Sequence, residues 1–173
     1  IALEHNTSPQ AMASLRMLAG RLKADAPALV FVNSRNAAET VASRLATFDE
    51  SLDIGIHHGS LSAELRTEME NRLQNGDLHA LVCTSSLELG IDVGAIRHVH
   101  QIQSPRAVDR LLQRLGRAEH VLGGTGRGDL VAWEHDEIAE SAVIARRAIS
   151  GQIEGVRWRT MPRVVAANQM VMM

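Results

Sequence analysis

Short apolar segments of strand length alternate with segments of helical periodicity along most of the chain. Five segments are apolar enough to form buried strands, and they cover residues 28–33, 53–57, 79–84, 97–102 and 129–133. The intervening segments carry apolar residues every three or four positions, the spacing that gives a helix one buried face. Strands that alternate with helices are typical of a parallel sheet with helices on both faces. The pattern therefore predicts an α/β fold.

Polar residues mark the ends of several predicted helices. Residues 8–9 (Ser-Pro) predict a helix start, because serine caps helix N-termini and proline is favoured at the first helical position. Asn36 with Glu39 predicts a second start, while residues 75–76 (Asn-Gly) and Gly151 predict stops. The buried faces of the helices are expected to contain Leu15, Leu18, Leu22, Ala38, Val41, Ala42, Leu45, Leu65, Met69, Leu73, Val108, Leu111, Leu112 and Leu115.

The loops after four of the strands are rich in hydroxyls, small residues and helix starts. Each of them is readily explained as an ordinary helix N-cap. Four such loops on one edge of a sheet favour instead the binding of phosphate oxygens, because helix N-termini present free N–H groups there. The loops are Asn33-Ser34-Arg35, residues 57–60, Thr84-Ser85-Ser86 and Gln103-Ser104-Pro105.

A helix predicted over residues 106–119 carries an arginine-rich face opposite its leucines. Two interpretations remain open: a solvated basic face, and a set of arginines aimed at phosphate, which arginine binds through two parallel hydrogen bonds. Gly116 costs about 1 kcal/mol relative to alanine inside a helix, which indicates a close backbone approach or a helix end. The polar face contains Arg106, Arg110, Gln113, Arg114 and Arg117.

Residues 88–94 lie between two predicted strands and contain too much glycine for a stable helix. One interpretation is a plain connecting loop. The other is a nucleotide contact, in which Asp92 accepts hydrogen bonds from ribose hydroxyls and Gly90 lets the backbone approach.

Other candidate motifs do not support chemistry of their own. Residues 123–128 lack the Lys-Ser/Thr pair of a Walker A loop and precede a strand instead of following one. Residues 136–137 (Asp-Glu) stand where carboxylates are favoured at a helix start. His98 and His100 share a strand face, but a third ligand is not evident, so we expect no metal site. Cys83 is expected to be a buried strand residue.

Composition narrows the possible functions. The length of 173 residues fits one domain, and 45% hydrophobic with 22% charged residues is typical of a folded chain. A net charge of -2 argues against electrostatic coating of nucleic acid, and 2% aromatics argue against base-stacking platforms. The lone cysteine excludes a disulfide scaffold. Neither a membrane-length apolar run nor a signal pattern is present, so we expect a cytoplasmic domain.

Taken in order, the loops and the arginine helix resemble the conserved motifs of superfamily-two helicases, specifically of their second RecA-like lobe. Residues 28–35 resemble motif IV, His58-Gly59 with Arg66 resembles motif IVa, residues 84–94 resemble motif V, and residues 113–120 resemble motif VI. Within the superfamily, the chain is similar to the Lhr (large helicase-related) group, whose motif VI ends in histidine as this one does at His120. Glu119 departs from the glycine that is usual at its place.

The resemblance implies a RecA-like P-loop NTPase fold without its own Walker A loop, in residues 1–152. Residues 153–173 would be a linker and the truncated start of a winged-helix-like domain. The implied function is the second motor lobe of an ATP-dependent helicase acting on single-stranded or partly duplex DNA or RNA, with a role in DNA repair. A first RecA-like lobe would hold most of the Mg²⁺ contacts, and this chain alone would be inactive. The alternatives are a free-standing, non-catalytic module that binds nucleic acid or protein, and an unrelated α/β nucleotide enzyme.

The resemblance also implies roles for individual residues. Arg117 would be the arginine finger that stabilises charge on the transferred phosphoryl group, and Gln113 and Arg114 would order the cleft. Gly90, Asp92 and His120 would line the nucleotide. The backbone of the bound strand would be held by Ser34, Arg35, Gly59, Arg66, Thr84 and Ser85.

Overall fold

The computed structural model describes residues 8–88, 96–118 and 127–155, together with Met170. In these parts of the chain, five strands form one sheet in the order β2-β3-β1-β4-β5, and every pairing is parallel. The strands are β1 (Ala28–Phe31), β2 (Ile54–His57), β3 (Ala80–Cys83), β4 (His98–Ile102) and β5 (Gly128–Val131). All five predicted strands and the α/β fold class are therefore confirmed.

Helices connect the strands and cover both faces of the sheet. They are α1 (Pro9–Asp25), α2 (Arg35–Phe48), α3 (Ala63–Gln74), α4 (Val108–Leu115) and α5 (His135–Ile149), with short 3₁₀ turns at Ser85–Leu87 and Gly116–Ala118. None of the helices in the described ranges is long and apolar enough to cross a membrane.

The starts of α1 and α2 are set by serine side chains. The Ser8 hydroxyl accepts a hydrogen bond from the Ala11 N–H, as the sequence predicts. The predicted start at Asn36 is wrong by two residues, because Ser34 is the N-cap and its hydroxyl accepts from the Ala37 N–H at 3.2 Å. Serine is as good an N-cap as asparagine, so the residue nearer the end of β1 takes the position.

The predicted helix stops lie where the backbone turns. Gly76 (φ +79°) follows the end of α3, and Gly151 (φ +68°) follows the end of α5. Positive φ values of this kind cost a glycine almost nothing. Gly116 caps the C-terminus of α4 after Leu115, so the helix-end interpretation of this glycine is confirmed.

Alternate residues of the central strands face the two helical layers. Val30 packs with the leucines of α1 and α2, whereas Leu29 and Phe31 pack with Leu73 of α3 on the other face. Most of the predicted inward residues are buried, but Leu65 is 47% exposed and its assignment to the core is wrong. It lies on the first turn of α3, whereas Leu73, the fully buried residue of this helix, lies near its other end.

The chain after α5 turns back towards α4. The Glu154 carboxylate accepts hydrogen bonds from the N–H groups of Val108 (2.9 Å) and Asp109 (3.1 Å). It therefore caps α4, whose own N-cap residue Ala107 has no side chain able to do so. The predicted linker and following domain over 153–173 lie mostly outside the described residues.

Candidate nucleotide and nucleic-acid interface

The loops singled out in the sequence lie along one edge of the sheet. Because all five strands are parallel, their carboxyl ends meet there, where ligands bind in open α/β sheets. From the strand order, the loop after β2 lies next to the loop after β3, followed by those after β1 and β4. The predicted placement of four polar loops on one edge is confirmed.

We call the edge of the sheet that carries these polar loops the loop edge. Arg114 of α4 is the most buried of the charged residues that pack against it, with 2% of its surface exposed. Its Nε donates to Glu88 Oε1 at 2.8 Å, and its terminal nitrogens contact Glu88 and Gln101. The guanidinium also lies 5.1 Å from the centre of the Phe31 ring, within the range of a cation–π contact. Burial lowers the pKa of Arg114, while the hydrogen bonds to Glu88 oppose that shift. Arg114 therefore fixes α4 to the loop after β3.

The prediction that one helix face carries all of the arginines is wrong. The buried stripe of α4 consists of Val108, Leu111 and Arg114, at a spacing of three, because Glu88 and Gln101 offer acceptors at the third position. Gln113 points to solvent.

Arg106 and Arg110 also depart from the predicted set. Arg106 precedes the helix with φ +68°, and its guanidinium bonds to Glu140 of α5 at 3.1 Å. Arg110 is 45% exposed, with its Nε 3.8 Å from Glu88 and a terminal nitrogen 3.4 Å from the Pro105 carbonyl oxygen. Neither a solvated basic face nor a set aimed at phosphate describes all of the arginines. Arg106 and Arg110 are exposed, whereas Arg114 is buried and Arg117 is half-buried.

Arg117 lies on the 3₁₀ turn after α4 and is half-buried. Its Nη2 donates to the main-chain carbonyl of Glu88 at 3.1 Å. Glu88 thus contacts Arg114 through its carboxylate and Arg117 through its backbone. This places the guanidinium of Arg117 against the loop that follows β3.

A buried histidine links the loops after β2 and β3, which the sequence interpretation missed. His57 is 1% exposed, with Nδ1 2.7 Å from the Ser86 hydroxyl and Nε2 2.8 Å from the Glu70 carboxylate. A carboxylate accepts from Nε2–H, so Nδ1 is left as an acceptor for the Ser86 hydroxyl, which also lies 3.2 Å from the His57 carbonyl oxygen. The polar character of residues 57–60 was visible, but Glu70 meets His57 only through the packing of α3 on β2.

The predicted strand-binding residues occupy the same edge in different ways. The Ser34 hydroxyl is used by the N-cap, and Arg35 donates to the Ser60 hydroxyl at 3.3 Å. Gly59 is exposed, with open space where a Cβ would be. These contacts bring the loops after β1 and β2 together.

Thr84, Ser85 and Arg66 complete this set. The Thr84 N–H donates to the His57 carbonyl at 3.2 Å, and its hydroxyl lies 3.5 Å from that of Ser86. Ser85 is exposed, while Arg66 is half-buried on the first turn of α3. The nucleotide-lining residues expected from the resemblance, namely Gly90, Asp92 and His120, lie outside the described residues.

Cys83 and the histidine pair His98 and His100 lie on strands and not in the polar loops. Cys83 is buried as expected, and burial raises the pKa of its thiol. The sequence offers no evident third ligand beside His98 and His100, and the expectation of no metal site rests on that. The structure brings the Asp25 carboxylate to both histidines and so supplies one.

Three comparisons identify the relatives of this chain. Residues 10–121 match the family model of the helicase conserved C-terminal domain. The chain is 40% identical over 146 residues to the ATP-dependent helicase Lhr-Core of Sulfolobus acidocaldarius, covering 80% of this chain and 17% of that protein. It is 36% identical over 174 residues to the Lhr helicase/uracil glycosylase of Escherichia coli, covering 83% and 11%.

A solved structure extends the likeness to the fold. The structure of Mycobacterium smegmatis helicase Lhr bound to ssDNA and AMP-PNP superposes with a TM-score of 0.87 at 35% identity, covering 98% of this chain and 23% of that one. The chain spans less than a fifth of the length of the two curated relatives above. The matched family model, the relatives and the RecA-like sheet agree, and the chain belongs to the helicase conserved C-terminal domain family.

Proposed function

We propose that this chain is the second motor lobe of an ATP-dependent, Lhr-like helicase, which closes over ATP held by a first lobe and grips one nucleic-acid strand. The observation that supports it best is the position of Arg117, held half-buried against the Glu88 backbone at the loop edge of the sheet. The related M. smegmatis helicase was solved with ssDNA and AMP-PNP, ligands of the two classes that the proposal requires.

Arg117 is the residue that we assign to the phosphates. Its Nη2 bonds to a neutral carbonyl oxygen, and a phosphate oxygen would be a stronger acceptor because it carries charge. A guanidinium at this place would stabilise negative charge on the transferred phosphoryl group. When bound, ATP supplies the phosphoanhydride bond that is cleaved.

Arg114 has a different role in the proposal. With 2% exposure and bonds to Glu88 and Gln101, its guanidinium is committed to the protein interior. We therefore assign it to positioning: it holds α4, and with it the turn that carries Arg117, against the loop after β3. Gln113 is exposed on the same helix and is left to contact the first lobe.

The strand is assigned to the loops after β1, β2 and β3. Hydroxyls, main-chain N–H groups and arginines meet there, and these groups contact phosphate and sugar without reading bases. The set comprises Ser34, Arg35, Gly59, Arg66, Thr84 and Ser85. Binding is then independent of sequence and weakens as salt rises, since each phosphate contact releases counterions.

The remaining parts of the proposal rest on the resemblance to the Lhr group. Gly90, Asp92 and His120 line the nucleotide, and Mg²⁺ is held mainly by the first lobe. The partners are that lobe, a following winged-helix domain, and single-stranded or partly duplex DNA or RNA. The likeness to an E. coli helicase/uracil glycosylase supports a role of the longer protein in DNA repair.

The test compares ATP turnover and strand binding of the full-length protein with those of Arg117→Ala. We expect turnover to fall by about 10³-fold or more, as for other arginine fingers, while strand affinity stays within about two-fold. Arg106→Ala is the matched control, since Arg106 is 60% exposed and paired with Glu140. Unchanged turnover in Arg117→Ala would reject the finger role.

A second experiment uses the 173-residue chain by itself. No Walker A loop is present in its sequence, so we expect no ATP hydrolysis above background. Repeated turnover by the purified chain, abolished by Arg117→Ala, would contradict the assignment of this chain to a second lobe.

A further inference from the structure

A cluster of histidines and aspartates lies at the edge of the sheet opposite the polar loops. His98 is the first residue of β4, His100 follows on the same strand face, and Asp129 lies near the start of β5. Asp25 is the last residue of α1, which covers this face. The cluster is therefore separate from the surface assigned to ATP and nucleic acid.

The two imidazoles stack between the two carboxylates. Their ring centres are 4.4 Å apart with an interplanar angle of 27°. On one side, Asp129 Oδ2 lies 3.1 Å from His98 Nε2 and 3.3 Å from His100 Nδ1. On the other side, the Asp25 carboxylate lies 3.3 Å from His100 Nε2 and 4.0 Å from His98 Nδ1. Each ring thus presents one nitrogen to each aspartate.

Several of these atoms are buried and lack a hydrogen bond. Both ring nitrogens of His100 and Oδ2 of Asp25 are in this state, although His100 Nε2 lies only 3.3 Å from Asp25 Oδ2. Buried polar groups are normally paired, so such atoms require an explanation. Ligands of a tetrahedral metal with bonds of about 2.0–2.1 Å lie about 3.3–3.4 Å apart, and they do not hydrogen-bond to one another.

We propose that Asp25, His98 and His100 form a site for a divalent transition-metal cation of the Zn²⁺ type. The donors are one nitrogen from each ring and one carboxylate oxygen, a set that suits such metals. These ligand atoms all lie within 4.8 Å of one another, so small side-chain movements bring them to one ion. Water fills the remaining coordination position.

Asp129 supports this site from the far side of the rings. The Asp129 carboxylate accepts from His98 Nε2, which leaves His98 Nδ1 as the nitrogen free to bind the ion. A carboxylate behind the ligating imidazole is the usual outer partner of metal-bound histidine.

Arg21 is the cation that competes for this position. Its Nη1 lies 2.9 Å from Asp129 Oδ2, and its Nε lies 3.4 Å from Asp25 Oδ2. The Arg21 side chain is 45% exposed, so it can move into solvent when an ion binds. A bound ion would tie the end of α1 to β4, two elements that are distant in the sequence.

The test titrates the chelator-treated chain with ZnCl₂ in a calorimeter and with CoCl₂ in an absorption spectrometer. We expect saturation at one ion per chain and the visible Co²⁺ bands of low coordination number. Asp25→Asn and His98→Ala should abolish both signals, and Asp129→Asn should weaken binding about ten-fold. His79→Ala is the control, because His79 also lies near an aspartate, Asp53 at 3.4 Å, but outside the cluster.

The Arg21→Gln variant distinguishes a cluster that binds a metal ion from one that binds only the Arg21 guanidinium. If the site binds metal, this change removes the competing charge and tightens Zn²⁺ binding. If Arg21 is the only cation that the cluster uses, it lowers the thermal midpoint and leaves Zn²⁺ binding unchanged, which overturns the proposal. Thermal unfolding of each variant without metal identifies any variant that fails to fold. Asp25→Asn is the variant that should disturb folding least, because asparagine has the same shape as aspartate. Equal Zn²⁺ affinity in wild type and Asp25→Asn also overturns it.

Discussion

Arg114 and Glu88 form a buried ion pair between α4 and the loop after β3, with Nε 2.8 Å from Oε1. The two residues are 2% and 9% exposed. A buried ion pair adds little to the free energy of unfolding. Removing one partner lowers that free energy strongly, because the other charge is left unpaired away from water. The pair therefore fixes the position of α4 more than it adds to stability.

Glu88→Gln should lower the free energy of unfolding by about 3–5 kcal/mol, since it leaves the Arg114 charge buried without a counter-charge. Urea denaturation measures this. Glu140→Gln is the control, because it breaks the exposed pair with Arg106 and should cost less than about 1 kcal/mol. The double variant Glu88→Gln/Arg114→Met should recover part of the loss. Equal losses for the two single variants would show that the pair is not buried in solution.

The hydrogen bond between Ser86 and His57 should control local opening of the loop after β3. Cys83 precedes this loop, is fully buried and is the single cysteine of the chain, so its reaction with a thiol reagent reports opening. Ser86→Ala leaves a buried nitrogen of His57 unpaired, at a cost of about 1–3 kcal/mol. We expect the reaction to accelerate about five- to a hundred-fold under native conditions. Exposed Ser85→Ala should leave the rate unchanged, and equal acceleration by both variants would contradict the role of Ser86.

The Glu154 cap should make the stability of α4 dependent on pH. Hydrogen bonds from the main chain, that from Val108 first, lower the pKa of Glu154 from its usual value of 4.5. Since the pKa is lower in the folded state, the stabilisation is present above the unfolded pKa and is lost as pH falls through the folded value. The stability difference between wild type and Glu154→Ala should therefore be greatest near neutral pH and shrink below pH 4.5. Denaturation at a series of pH values measures it, and a constant difference would show that the cap is not formed.

Gly128 should tolerate no side chain, because β5 approaches α4 and β4 closely there. A Cβ would lie 2.2 Å from Leu115 Cδ2 and 2.8 Å from the Val99 carbonyl oxygen. Gly128→Ala should therefore destabilise the fold by about 1–3 kcal/mol. Gly20→Ala has the opposite expectation: its Cβ meets no atom within 4 Å, and alanine in α1 should gain about 0.5–1 kcal/mol. A thermal midpoint that rises for both variants would contradict the packing of β5.

The sequence by itself determined the fold class, the five strands and the edge at which the polar loops meet. These follow from the period of the hydrophobic residues, because strand and helix periods differ and parallel strands place their carboxyl ends together. The helix stops at Gly76 and Gly151 were also predictable, since glycine ends a helix through its own backbone freedom. The motif order was sufficient to identify the helicase family.

The tertiary structure decided which charged groups meet. The inward position of Arg114 depends on Glu88 and Gln101, which come from other elements, whereas helical periodicity alone placed it on the polar face opposite the leucines. Similarly, Glu70 reaches His57, and Asp25 reaches the histidines of β4, only because helices pack on the sheet at particular points. Local spacing predicts the side that an apolar residue occupies, because burial favours it there, whereas the side and the partners of a charged residue are set by packing between elements.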